Sequence, residues 1–196
     1  METPVNRSSV RDLALDLIKC YGYRRHDEPF MLASGQVSRD YIDCFAAFST
    51  GERLRTVSIA MIQLAQRHGM TFTLVGGPTM GADSISMAIA MEGGCGWFSV
   101  RKQPKPRGRM QWIEGARLTV KDRVLLVDCV ATTGRSIMHA YERVLSTGAT
   151  IIGIMPIIDR ADTARRLFHS SGVPYVPLFT YKDLGIAAVK VDDREH

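Results

Sequence analysis

The chain contains no run approaching the roughly 18 consecutive apolar residues that a membrane span needs. Residues 1–7 also lack the apolar core of a signal peptide, so a cytoplasmic protein is expected. Four cysteines, Cys20, Cys44, Cys95 and Cys129, form no Cys-x-x-Cys pair and have no histidine at ligand spacing. That excludes a disulfide framework or zinc site as the first reading and leaves thiols buried in apolar segments. No glycine spacing matches a Walker A loop, which disfavours ATP hydrolysis. There is no internal repeat, linker or DNA-binding helix-turn-helix, and 196 residues fit one domain, a size that buries about 70 % of the unfolded surface. A net charge of +5 invites a nucleic-acid reading, but the basic residues form no aromatic-interleaved stripe. Their densest run, 101–109, suits a polyanionic small molecule as well. Neither a membrane nor a nucleic-acid partner is expected.

What is present centres on residues 124–136. Val124, Leu125, Leu126 and Val127 make an aliphatic run too short for a helix and bounded by Lys121, Asp122 and Arg123, which predicts a strand buried on both faces. The strand ends, on this reading, at Asp128. Thr132, Thr133, Gly134, Arg135 and Ser136 then gather hydroxyls about a glycine, ahead of a helical pattern in Ile137, Ala140, Tyr141, Val144 and Leu145. A strand, a polar loop and a helix N-terminus present backbone N–H groups and a positive dipole end to an anion. With an acid at the carboxyl end of the strand, the arrangement points to a sugar phosphate, whose hydroxyls the carboxylate holds while the loop holds the phosphate.

The remaining segments alternate. Ser8 or Ser9 caps a helix through Leu17 and Ile18 that stops at Gly22, and a charged turn at 24–29 follows. Residues 30–43 read as two short strands around Ser34 and Gly35. Ser49 or Thr50 caps an amphipathic helix closed by Gly69, expected to lie against the sheet. Strands are predicted at 71–75, 96–102, 150–158 and 175–180, the last an edge strand because of Pro177. Residues 76–83 form a glycine-bearing turn into a helix, and 161–171 a short helix. Residues 103–112 make a basic loop long enough to be functional. Strands alternating with helices call for a mostly parallel sheet with helices on both faces, an α/β fold.

The aliphatic strand, acid and Thr-Thr-Gly-x-Ser loop resemble the motif that binds 5-phosphoribosyl 1-diphosphate (PRPP) in type I phosphoribosyltransferases, with Cys129 where a second acid is usual. Phe30, Leu32, Ser34, Gly35, Ser38, Tyr41 and Asp43 resemble the N-terminal hood of orotate phosphoribosyltransferases in particular. Arg101, Lys102, Lys105, Arg107 and Gly108, with Ile113, Glu114 and Gly115, resemble that family's catalytic loop, with Arg107 where histidine is usual. The resemblance runs in order from Phe30 to Ile186.

It implies a type I phosphoribosyltransferase fold in one domain, with a hood at about 24–48, a core at about 49–186 and a tail at 187–196. It further implies transfer of phosphoribose from PRPP to orotate, with Mg²⁺ as cofactor and no protein cage of carboxylates around it. Asp128, Lys105 and Arg101 would be catalytic. Lys102, Arg107, Cys129, Val130, Ala131 and Thr132 to Ser136 would complete the PRPP site, with Thr79 and Met80 in the diphosphate turn and Arg160 meeting the base carboxylate. A homodimer is expected, with the 103–112 loop reaching the neighbouring site. Two alternatives stay open, a paralogue for another pyrimidine-like base and a non-catalytic PRPP-binding regulator.

Overall fold

A computed structural model describes residues 9–31, 37–105 and 111–187. Ser8, residues 32–36 of the hood, Arg107 of the basic loop and the tail beyond 187 lie outside the described residues. The strands are β1 (Tyr23–Met31), β2 (Val37–Ile42), β3 (Leu74–Pro78), β4 (Gly96–Val100), β5 (Ile113–Gly115), β6 (Arg123–Ala131), β7 (Thr150–Asp159) and β8 (Phe179–Thr180). The helices are α1 (Val10–Leu17), α2 (Cys44–Ala47), α3 (Gly51–Arg67), α4 (Asp83–Gly93), α5 (Arg135–Leu145) and α6 (Thr163–His169). β1 and β2 pair as an antiparallel ribbon, while the other strands form one sheet ordered β5-β4-β3-β6-β7-β8. In that sheet only β4 with β5 is antiparallel. This is the expected mostly parallel sheet.

Side chains alternate across a strand, and β6 shows what each face meets. Leu125, Val127 and Cys129 join Val57 and Met61 of α3 and Ile85 and Ile89 of α4 in one core. Val124 and Leu126 join Ile137, Ala140 and Val144 of α5 and Phe168 of α6 in the other. Covering both faces is why this strand reads as a continuous aliphatic run. α3 belongs to the first layer and packs chiefly on α4 and α1. Its cap is Thr50, whose hydroxyl accepts from the Arg53 N–H at 3.3 Å. At α1 the cap is Ser9, in a reciprocal box with Asp12.

The structure corrects several boundaries. The charged turn expected at 24–29 is part of β1, because a two-stranded ribbon has faces that can stay solvated and needs no apolar alternation. The strand expected at 71–75 starts at Leu74 and runs on to Pro78, since Gly76 and Gly77 pair with Phe98 and Ser99. β4 stops at Val100 rather than 102, and α6 is shorter than 161–171. The last strand shrinks to an isolated bridge at Tyr175 and the pair Phe179–Thr180. Its edge position holds. Val176 and Leu178 donate to the carbonyls of Ile154 and Pro156 at 2.9 and 3.0 Å, so the residue between them, Pro177, loses no ladder bond.

Asp128 is also repositioned. β6 continues to Ala131 because it stays paired with β7 as far as Ala131 and Asp159. Its pairing with β3 ends earlier, at Gly76 and Leu126. The chain leaves β3 outward to β4 and returns to β6 on the other side, so the β3–β6 gap is where strand order reverses, the usual location of ligands in open α/β sheets. Asp128 lies beside that gap.

Candidate active site

The gap is built around one acid. Asp128 is 7 % exposed, and among the described residues its carboxylate accepts one hydrogen bond, from the Cys129 N–H at 2.8 Å. The turn between β3 and α4 presses on it closely enough that a Cβ on Gly81 would collide with Oδ1, so any side chain there would displace the carboxylate. Two further bonds fix the helix behind that turn. The Ser99 hydroxyl donates to Asp83 and the Trp97 indole N–H to Ser86, each at 2.7 Å. Burial raises the Asp128 pKa to about 7, only partly opposed by the Cys129 N–H and the Lys102 charge.

Beyond Ala131 the chain turns through Thr132 and Thr133 into Gly134, whose φ of 80° is left-handed and suits glycine. Val130, Ala131, Thr132, Thr133, Gly134, Arg135 and Ser136 line a hollow of about 320 Å³ with Asp128 at its side. The hollow abuts the N-terminus of α5, where first-turn amides have no intrahelical acceptor. Amides, hydroxyls and a dipole end on one wall are what a phosphate requires.

A larger cleft of about 990 Å³ joins this hollow to the hood. Thr79, Met80, Arg101, Lys102, Asp128, Cys129, Val130, Thr132, Ser136 and Arg160 all line it. The structure therefore brings together every described residue expected in the site except Lys105, which is exposed and lines neither space. Arg101 is tied to Glu114 at 3.4 Å and holds the Gln103 carbonyl at 3.2 Å. Arg160 donates its backbone N–H to Ala131 at 2.9 Å, extending the β6–β7 rim, and its side chain is buried, with Nε making no hydrogen bond among the described residues.

The hood contributes residues that the sequence had not placed in the site, including Phe30, Tyr41, Asp43, Cys44 and Phe45. Phe30, Tyr41 and Asp43 belong to the hood pattern and were the available signal. Phe45 had none. Cys44 Sγ lies 3.9 Å from the Cys129 carbonyl. Contact with Cys44, burial, and the nearby Asp128 and Asp43 charges push the Cys129 thiol well up, so it stands as a neutral group beside the acid.

The raised Asp128 pKa has a sign for stability. An acid whose folded pKa exceeds its ordinary value of 3.8 destabilises the fold as pH rises from about 4, and the cost is complete above about 7. Asp128→Asn keeps an acceptor for the Cys129 N–H and removes the charge. Thermal unfolding of the variant is expected a few degrees above that of the original chain at pH 8, with the gap closing toward pH 4. A lower midpoint at pH 8 would show that the charge is already compensated in the free protein.

No family model matches the chain. The orotate phosphoribosyltransferase of Pyrococcus furiosus is 35 % identical over 159 residues, covering 81 % of this chain and 87 % of the relative. That of Aquifex aeolicus is 33 % identical over 180 residues, covering 89 % and 97 %. Among solved structures, the Mycobacterium tuberculosis orotate phosphoribosyltransferase in complex with PRPP superposes with a TM-score of 0.75 at 28 % identity, covering 91 % of this chain and 100 % of that one. With identity above 30 % spread across most of both lengths, on a fold that places the motif residues around one cleft, the chain belongs to the orotate phosphoribosyltransferase family.

Proposed function

We propose that the protein transfers the phosphoribosyl group of PRPP to orotate, giving orotidine 5-phosphate and diphosphate in pyrimidine nucleotide synthesis in the cytoplasm. The observation that carries this reading is Arg160, a buried guanidinium on the rim that holds Asp128, with Nε free of any hydrogen bond among the described residues. Such a group favours a carboxylated base, since a planar guanidinium pairs with a carboxylate through two bonds. Residues 24–48 would act as hood over a core of 49–186 in one catalytic domain.

Transfer breaks the bond from ribose C1 to the diphosphate oxygen and forms one from C1 to the base nitrogen, whose proton passes to the released diphosphate or to solvent. Positive charge builds on the ribose ring and negative charge on the leaving group. Ionised Asp128 would hold ribose hydroxyls and offset the ring charge. Arg101, Lys102 and the turn at Thr79 and Met80 would receive the diphosphate, the 132–136 loop the 5-phosphate, and Thr132 and Arg160 the base.

Among the described residues no three His, Cys, Asp or Glu side chains gather at one point. One carboxylate, Asp128, together with substrate oxygens and waters nevertheless suits Mg²⁺, which keeps several waters and leans on phosphates. When bound, the ion would neutralise diphosphate charge. Among the described residues no helix is long and apolar enough to cross a membrane.

Turnover with PRPP and Mg²⁺ across a panel of bases tests the assignment. Orotate should be turned over and strongly preferred to uracil, because uracil leaves Arg160 buried without its carboxylate. Equal rates would remove Arg160 from base recognition, and turnover of some other base alone would make the protein a paralogue.

Lys105 supports a dimer in which the 103–112 loop serves the neighbouring subunit, because this lysine is exposed and lines no part of its own cleft. Mixing inactive Lys105→Ala with inactive Asp128→Asn should restore activity on subunit exchange, since one site of each hybrid dimer carries neither lesion. No recovery despite verified hybrids would confine the loop to its own subunit.

A further inference from the structure

We infer that His139, in the second turn of α5, is a positioning residue that couples the phosphate-binding helix to the basic segment carrying Arg101 and Lys102. The inference rests on the functional reading above and goes beyond it, since no motif of the sequence pointed to His139.

Both roots of the basic segment meet α5 at one place. The roots are joined to each other, Arg101 donating its N–H to the Trp112 carbonyl at 2.8 Å and Lys105 donating to Gln111 at 3.0 Å. His139 Nε2 lies 3.1 Å from the Arg101 carbonyl. A carbonyl oxygen can only accept, so Nε2 must carry the proton, which fixes the ring's orientation. The same ring meets the Trp112 indole edge to face, with centroids 5.2 Å apart and planes at 65°. One turn further along α5, the Arg143 guanidinium lies over the Trp112 ring, 3.9 Å from its centroid. Arg143 Nε is buried and makes no hydrogen bond among the described residues, so the aromatic ring is the partner that this cation has been given.

The consequence is mechanical. α5 begins at the hollow proposed for the 5-phosphate, and its next two turns clamp the segment that aims Lys102 into the cleft. Two ends of one substrate would thus be read by two loops whose separation is set by His139, Trp112 and Arg143. A carbonyl held by a ring nitrogen and an indole held by two side chains of α5 leave the segment little freedom to drift. Displacing a catalytic group by an ångström costs rate rather than binding.

The test begins with the unaltered protein, whose turnover of PRPP and orotate decides the functional reading independently. Given that turnover, His139→Ala is expected to lower kcat on the order of 10- to 100-fold while the KM for PRPP changes little, because the phosphate hollow is intact. His139→Gln, whose amide can donate to the Arg101 carbonyl, should recover most of the loss. Combining His139→Ala with Lys102→Ala should cost little more than Lys102→Ala alone, since the histidine acts through that segment. Trp112→Leu, which keeps His139 but removes its ring contact, serves as the second variant should His139→Ala fold poorly, and should show the same kcat loss. Unchanged kcat in the folded variants, a loss carried wholly in KM, or strict additivity with Lys102→Ala would overturn the inference. Hydrogen exchange gives a readout without turnover: the amides of 101–103, Lys105 and 111–113 should exchange faster in His139→Ala while those of α4 and β6 do not. Exchange left unchanged in that segment would overturn it equally.

Discussion

A carboxylate enclosed by aliphatic strands is unfavourable as an anion unless something compensates it, and the active-site region is arranged under that constraint. Asp128 is buried because β6 must be covered on both faces for the sheet to pack, and it lines the cleft because β3 and β6 part company beyond Gly76 and Leu126. The same divergence turns the chain through Gly81 directly against the carboxylate. Fold and site are therefore not separable at this point. The step that closes the core also leaves a poised acid at its edge, half ionised near neutral pH.

The cations nearby are placed so as not to discharge that acid in advance. Arg101 is engaged with Glu114, and Arg160 is held at the end of β7 without a carboxylate partner among the described residues. Lys102 lowers the Asp128 pKa but does not overcome burial. A substrate carrying both hydroxyls and phosphates would satisfy these groups together. Cys129 fits the same logic. With Asp128 and Asp43 both acting on it, a second carboxylate at 129 would meet two like charges in a buried place, whereas a neutral thiol against Cys44 does not.

Much of this was legible in the residues. The aliphatic run at 124–127 specified a doubly covered strand, Thr132 to Ser136 marked the turn from that strand into a helix, and the spacing of Arg101, Lys102 and Lys105 marked the basic segment. Other features were hidden for physical reasons. Strand periodicity cannot show where a ladder stops on one side only, so Asp128 was placed at the end of β6 rather than inside it. The charged strand β1 carries no apolar alternation because the ribbon leaves its faces to solvent. Phe45 and the contact of Cys44 with Cys129 depend on where the hood docks, and pairs 85 residues apart leave no local trace.

The central claim is that Asp128 is a buried acid which substrate converts to its ionised form. Titration of its side-chain carboxyl carbon by NMR, assigned by comparison with Asp128→Asn, addresses this directly. In the free protein the resonance should titrate at about 7, and adding PRPP with Mg²⁺ should move the midpoint down so that the group is ionised throughout the neutral range. A midpoint near the ordinary value of about 4 in the free protein, or one that substrate leaves unchanged, would contradict the account.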